Sequence, residues 1–207
     1  MTPLCCLRES AATLVADTSA VINLNATGYA AEILRAIPNK VVVVDMVPPE
    51  LQAGHGKGHT DAERMQELIR GGLLRVVSLG GSGWGYFGEL VAGPASETLG
   101  DGEAGTLAYA AENGASAVID ERKAIRVARC KLPEVVTAST VDILCHPAVL
   151  VALEREALAL AVFQALRDAR MRVLDHHLPW VVELIGSGRA AKCTSLPRSA
   201  RVVRESA

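Results

Sequence analysis

Residues 100–129 set the strongest limit on the fold. Ala104, Leu107, Ala108 and Ala111 recur at helical spacing, and Asn113-Gly114 closes that pattern. Ala117-Val118-Ile119 then runs into Asp120-Glu121, a short apolar segment too brief for a helix. A second helical pattern follows, with Arg122, Lys123, Arg126 and Arg129 around a narrow face of Ala124, Val127 and Ala128. A buried strand between two helices belongs to a parallel sheet with helices on its faces. In such a sheet the carboxy-terminal edges of strands and the starts of the following helices share one side. Glu103, in a first helical turn, and Asp120, at a strand end, are therefore placed to face each other. Asp101 reads as the cap of the helix that carries Glu103.

The same alternation runs through the chain to about residue 140. Leu14-Val15-Ala16 is an apolar run ending in Asp17, and Ala30, Ile33, Leu34 and Ile37 make a helical face. Val41 to Val47 is the clearest strand, β-branched and stopped by Pro48-Pro49, with Glu50 placed where a helix begins. Ala62, Met65, Leu68 and Ile69 mark a helix capped by Thr60 or Asp61, Leu73–Leu79 a strand and Val135–Thr137 a last strand. Gly54–His59 is too rich in glycine for regular structure, and Gly80–Gly102, with Trp84, Tyr86 and Phe87, reads as a mobile loop beside the site. Helical patterns alone follow residue 140. The expected architecture is an α/β parallel sheet flanked by helices over residues 13–150, with a helical carboxy-terminal extension at 151–188. Residues 189–207 show no periodicity and read as a disordered tail, as residues 1–12 read as a loose lead-in.

Composition narrows the chemistry. A net charge of −2 over 207 residues excludes binding to nucleic acid by bulk charge, so any such contact needs a local patch. Aromatic residues make up 3%, too few for a platform that stacks bases. The five cysteines contain no C-x-x-C pair and read as reduced thiols, and the five histidines lack metal spacing and read as surface or satisfied groups. The most apolar long stretch, from Pro147 to Leu166, is broken by Glu154, Arg155 and Glu156, so no membrane span is expected and the cytoplasm is the expected compartment.

Asp17, Glu50, Glu103 and Asp120 thus occupy equivalent places, at strand ends or helix starts. Singly, each is explained as a helix cap or a partner of the helix dipole. Together they would repel unless a cation neutralised them, and carboxylate oxygens suit Mg²⁺. Arg122, Lys123 and Arg126, beside Asp120, offer positive charge to a phosphate backbone or simply form a solvated helix face. Asp17-Thr18-Ser19 lacks the second aspartate of a phosphatase, and the run at Gly54–Gly58 is not a nucleotide phosphate loop.

On these blocks the chain resembles the PIN-domain family of metal-dependent ribonucleases. The resemblance rests on Val15–Ala20, Val47–Leu51, Gly102-Glu103-Ala104 and Val118–Arg126. It implies a catalytic set of Asp17, Glu50, Glu103 and Asp120 that binds Mg²⁺ or Mn²⁺, with Glu121 as an additional ligand and Thr18 or Ser19 supporting Asp17. It also offers Asp142 as a further carboxylate, and in Thr137–Thr140 it places Ser139 where relatives carry glycine. The activity implied is hydrolysis of RNA, as the toxin of a toxin–antitoxin pair, with an antitoxin protein as partner and a homodimer as the assembly. A PIN-like domain that binds RNA or protein without cutting is the alternative.

Overall fold

The computed structural model describes residues 7, 12–53 and 58–201. In chain order it contains β1 (Leu14–Ala16), α1 (Thr18–Ala26), α2 (Ala30–Ala36), β2 (Val41–Val44), α3 (Val47–Ala53) and α4 (Gly58–Arg70). Next come β3 (Leu74–Val77), α5 (Gly81–Val91), α6 (Asp101–Asn113), β4 (Ser116–Val118) and α7 (Arg122–Lys131). The last part holds β5 (Thr137–Ala138), α8 (Thr140–Leu144), α9 (Pro147–Ala152), α10 (Arg155–Asp168), α11 (Leu178–Ile185) and α12 (Ser187–Ala190). The chain divides into two compact units. One holds Glu9–Val21 together with Pro38–Ala138; the other holds Met1–Arg8, Ile22–Ile37 and the residues from Ser139 onward.

The sheet lies in the first unit. All its pairings are parallel, in the order β3-β2-β1-β4-β5. β1 is central, and Leu14, Val15 and Ala16 are fully buried. β2 is four valines, all buried, as expected of a strand covered on both faces. The edge strand β3 turns Arg75 and Val76 outward, and the charge of Arg75 discourages pairing with another chain. The chain winds one way from β1 through β2 to β3 and returns to the other side of β1 for β4 and β5. The order therefore reverses between β1 and β4, and the carboxy-terminal edge of these two strands is where open sheets of this kind place their ligands.

Several expectations are corrected. The span Gly80–Gly102 is not a structureless loop, because Gly81–Val91 is a helix. Glycine is intrinsically poor in helices, but α5 receives its start from another element. Glu112 of α6 accepts the N–H groups of Gly80 and Gly83 at 2.8 and 2.9 Å and the hydroxyl of Ser82 at 2.8 Å. Pro48 and Pro49 do not delay a helix to Glu50; they lie in the first turn of α3, where a missing N–H costs nothing. Of the glycine-rich run, Gly58 and His59 open α4, and residues 54–57 lie outside the described residues, as does most of the expected lead-in.

In the second unit, α10 buries Leu158, Ala161, Val162 and Leu166, and α11 buries Trp180, Val181 and Ile185. The expected disordered tail is ordered through Arg201, and residues 202–207 lie outside the described residues. Ala190, Cys193 and Leu196 are 0%, 0% and 2% exposed, and the Ser195 hydroxyl donates to the Leu166 carbonyl at 3.2 Å. Arg189 pairs with Glu156 and lies over the Phe163 ring. Arg189 and Ala190 sit in the single turn of α12 and Cys193, Ser195 and Leu196 in the irregular segment after it, too short a helix to leave a period in the sequence.

Candidate active site at the sheet edge

Asp17 follows β1 directly and caps α1. Its Oδ1 accepts the Ala20 N–H at 2.7 Å, and the Ser19 hydroxyl donates to both carboxylate oxygens at 3.0 and 2.9 Å. The Asp17 N–H donates to the Val118 carbonyl at 3.2 Å, which ties the end of β1 to β4. The group is 2% exposed. Burial, then the charge of Asp120, push its pKa up to about 8; the bonds from Ala20 and Ser19 oppose this, and Glu103 adds to it. Asp120 is 3% exposed and lies two residues past β4, beyond Ile119, whose N–H donates to the Ala138 carbonyl. The two aspartates thus sit on the two strands that flank the reversal in strand order.

Glu103 lies in the first turn of α6, half-buried. Burial raises its pKa, Glu121 and Glu50 raise it further, and the Gly100 backbone and Lys123 act in the opposite direction. Glu121 is the residue at the amino-terminal cap of α7, directly after Asp120. The structure therefore brings Asp120 and Glu103 within electrostatic reach of Asp17, and Glu121 and Glu50 within reach of Glu103.

Glu50 has a different occupation from the other acids. Its Oε1 accepts the Gly102 N–H at 2.8 Å, and its Oε2 accepts the Thr18 hydroxyl. Gly100, not Asp101, is the cap residue of α6, and it has no side chain to offer. Glu50 supplies the missing acceptor from α3, a substitution no local motif reveals. The glycines of α6 follow from this approach. A Cβ on Gly102 would collide with the Glu50 carboxylate, and one on Gly105 would collide with the Met46 sulfur. Gly102 and Gly105 are what let α6 lie close to the end of β2, and so bring Glu103 to the sheet edge.

The basic residues divide. Arg122 is exposed at the start of α7, Lys123 is half-buried beside Glu103, and the Arg126 guanidinium donates to the Ser96 carbonyl at 2.8 Å. Arg126 thus fastens the segment between α5 and α6. Asp45, inside the expected strand, is exposed just past the end of β2.

Asp142 belongs to the second unit, and its partners are Ser139 and His177. Ser139 and Asp142 form a reciprocal capping box at the start of α8. The histidines were expected in surface or satisfied roles. His146 fits, capping α9 by accepting the Ala148 N–H at 3.1 Å, but His177 is 1% exposed and neither of its ring nitrogens has a hydrogen-bond partner. It comes from a part of the chain remote in sequence from Asp142, so no spacing could have revealed the pair.

The set at the sheet edge is built of carboxylate oxygens, with one lysine opposing them, and two of its acids are raised by burial and mutual repulsion. That chemistry fits a hard divalent cation. Among the described residues no helix is long and apolar enough to cross a membrane. A protein-family profile described as a PIN domain matches residues 13–187, and so takes in the helices beyond residue 150 through α11. No curated protein and no solved structure matches the chain. With a profile match over most of its length and the five-stranded parallel sheet flanked by helices, the chain belongs to the PIN-domain family.

Proposed function

We propose that the protein is a ribonuclease dependent on Mg²⁺ or Mn²⁺ that hydrolyses RNA phosphodiester bonds. Asp17, Glu103 and Asp120 hold the cation and Glu121 adds a further carboxylate. The observation that carries this reading is Asp17. Its carboxylate is 2% exposed at the end of the central strand, with its pKa pushed up to about 8 by burial and by Asp120. The buried charge of that acid, without a counter-ion, weakens the fold against the gain from its cap bonds; a hard cation removes the penalty. Bound among these carboxylates, such an ion supplies positive charge to a phosphate and acidifies water.

The chain's own residues do the rest. Ser19 and the Ala20 N–H fix the Asp17 carboxylate, so that it meets a ligand without reorganising. Glu50 is a positioning residue. It braces the start of α6 and acts on the chemistry through Glu103. Lys123 moderates the repulsion on Glu103, and the exposed Arg122 offers a contact to the RNA backbone. The toxin role, the antitoxin partner and the homodimer belong to the same reading through the family resemblance, and co-purification with a co-expressed partner, together with solution mass, tests them.

Purified protein is expected to cut single-stranded RNA in Mn²⁺ and to stop when the ion is chelated. Asp17→Asn and Asp120→Asn are each expected to abolish cleavage and calorimetric Mn²⁺ binding while retaining the fold. A protein that retains RNA, binds no Mn²⁺ and cuts nothing is a non-catalytic binder, and that outcome overturns the proposal.

A further inference from the structure

The second unit contains a cluster of quite different donor chemistry. Asp142 and Cys145 lie three residues apart, in and just after α8, and His177 ends a 3-10 turn at Asp175–His177. One ligand atom from each lies within 4.8 Å of the others, and all three residues are buried. The Ser139 N–H and hydroxyl both go to Asp142 Oδ2, at 2.8 and 2.7 Å, and Oδ1 faces His177 Nε2 at 3.2 Å. That approach lacks the direction of a hydrogen bond, and His177, 1% exposed, has no hydrogen-bond partner at either nitrogen. Buried polar atoms are rarely left so, and an ion is one of the few reasons. The Cys145 sulfur makes a long contact, 3.5 Å, with the carbonyl of Asp142.

We propose that Asp142, Cys145 and His177 form a zinc site independent of the sheet-edge carboxylates. Thiolate, imidazole and carboxylate together are a borderline donor set suited to Zn²⁺, whereas Mg²⁺ and Mn²⁺ prefer oxygen alone. Ser139 holds Oδ2 and Oδ1 lies toward His177, the usual division of labour around a ligating carboxylate. On binding, the Cys145 thiol gives its proton to solvent and the thiolate ligates. Three protein donors leave the fourth tetrahedral position to a water or a backbone carbonyl. The site joins α8 to the turn that begins α11. The competing account is a plain buried Asp142–His177 ion pair with Cys145 uninvolved.

Cobalt separates the two. The full chain, stripped of metal and reduced, is titrated with Co²⁺. One equivalent is expected to give tetrahedral visible bands and a thiolate-to-cobalt band in the near ultraviolet, which one equivalent of Zn²⁺ displaces. The sheet-edge acids contain no thiolate, so Asp17→Asn is expected to keep the band, whereas Cys145→Ser and His177→Gln lose it. Zn²⁺ is expected to raise the Tm of the unmodified chain. Absence of the thiolate band in the unmodified chain overturns the proposal without recourse to any variant, as does its persistence in Cys145→Ser. Because these readouts are independent of RNA cleavage, the zinc site and the nuclease reading can fail separately.

Discussion

Asp17 has two occupations. Its Oδ1 caps α1 through Ala20, a role any helix start could ask of an aspartate, and the same carboxylate sits buried against Asp120 with its pKa pushed up to about 8. The two roles predict different consequences. Between the unfolded and folded pKa values the folded state holds the extra proton. The contribution of Asp17 to metal-free stability is therefore greatest below the unfolded value, falls as pH rises from about 4, and levels off past about 8. Asp17→Asn keeps an oxygen for the cap and removes the charge. It is expected to flatten that profile and to raise metal-free stability at pH 7 by more than ~1 kcal/mol, as one pKa unit is worth ~1.4 kcal/mol. Denaturant titrations across pH check this, and a variant less stable than the parent would mean the cap bond dominates. Glu50 makes the contrast. Glu50→Gln keeps an acceptor for Gly102 and is expected to lower cleavage by only ~10–100-fold, the usual cost of disturbing a supporting partner. A complete loss would make Glu50 a direct ligand.

At the scale of elements, α5 and α6 show how glycine acquires opposite meanings in one stretch. On α5, Gly85 and Gly88 would meet nothing within 4 Å if given a Cβ, so Gly85→Ala and Gly88→Ala are each expected to stabilise by ~0.4–1 kcal/mol. Gly102 on α6 is the reverse case. Gly102→Ala drives a methyl into the Glu50 carboxylate and is expected to cost ~1–3 kcal/mol and to weaken cleavage by displacing Glu103. Thermal or denaturant unfolding of the three variants settles both signs. The start of α5 depends on Glu112, whose pKa is lowered by the N–H groups of Gly80 and Gly83 and by Ser82. Its contribution is present above the ordinary glutamate value and is lost as pH falls through the lowered one. Glu112→Ala is therefore expected to speed amide exchange in Gly81–Val91 at neutral pH and leave the sheet amides unchanged.

At the scale of the molecule, ligand binding and stability are linked. Mn²⁺ that binds the folded state alone is expected to raise Tm with concentration, and each binding event below pH 8 displaces the Asp17 proton. Calorimetry in two buffers of different ionisation enthalpy counts that proton, and affinity is expected to climb with pH and flatten above about 8. In the second unit, Leu196 is 2% exposed in a segment with no periodicity, and Leu196→Ala is expected to cost ~2–5 kcal/mol. A change indistinguishable from zero would return that segment to the status of a loose tail.

By itself the sequence determined the strand–helix alternation, the parallel sheet and the placing of Asp17, Glu103 and Asp120 at its carboxy-terminal edge. Short apolar runs and helical spacing are local signals, and the winding of a parallel sheet converts them into position. The tertiary structure decided the rest, because each case depends on a partner remote in the chain. Glu112 starts a helix too rich in glycine to be recognised, and Glu50 caps α6 in place of a side chain that Gly100 lacks. Cys193 and Leu196 bury a segment that shows no period. His177 comes to Asp142 and Cys145 from beyond α10. Hydrogen bonds, desolvation and charge repulsion act through space, and only the folded chain brings those atoms together.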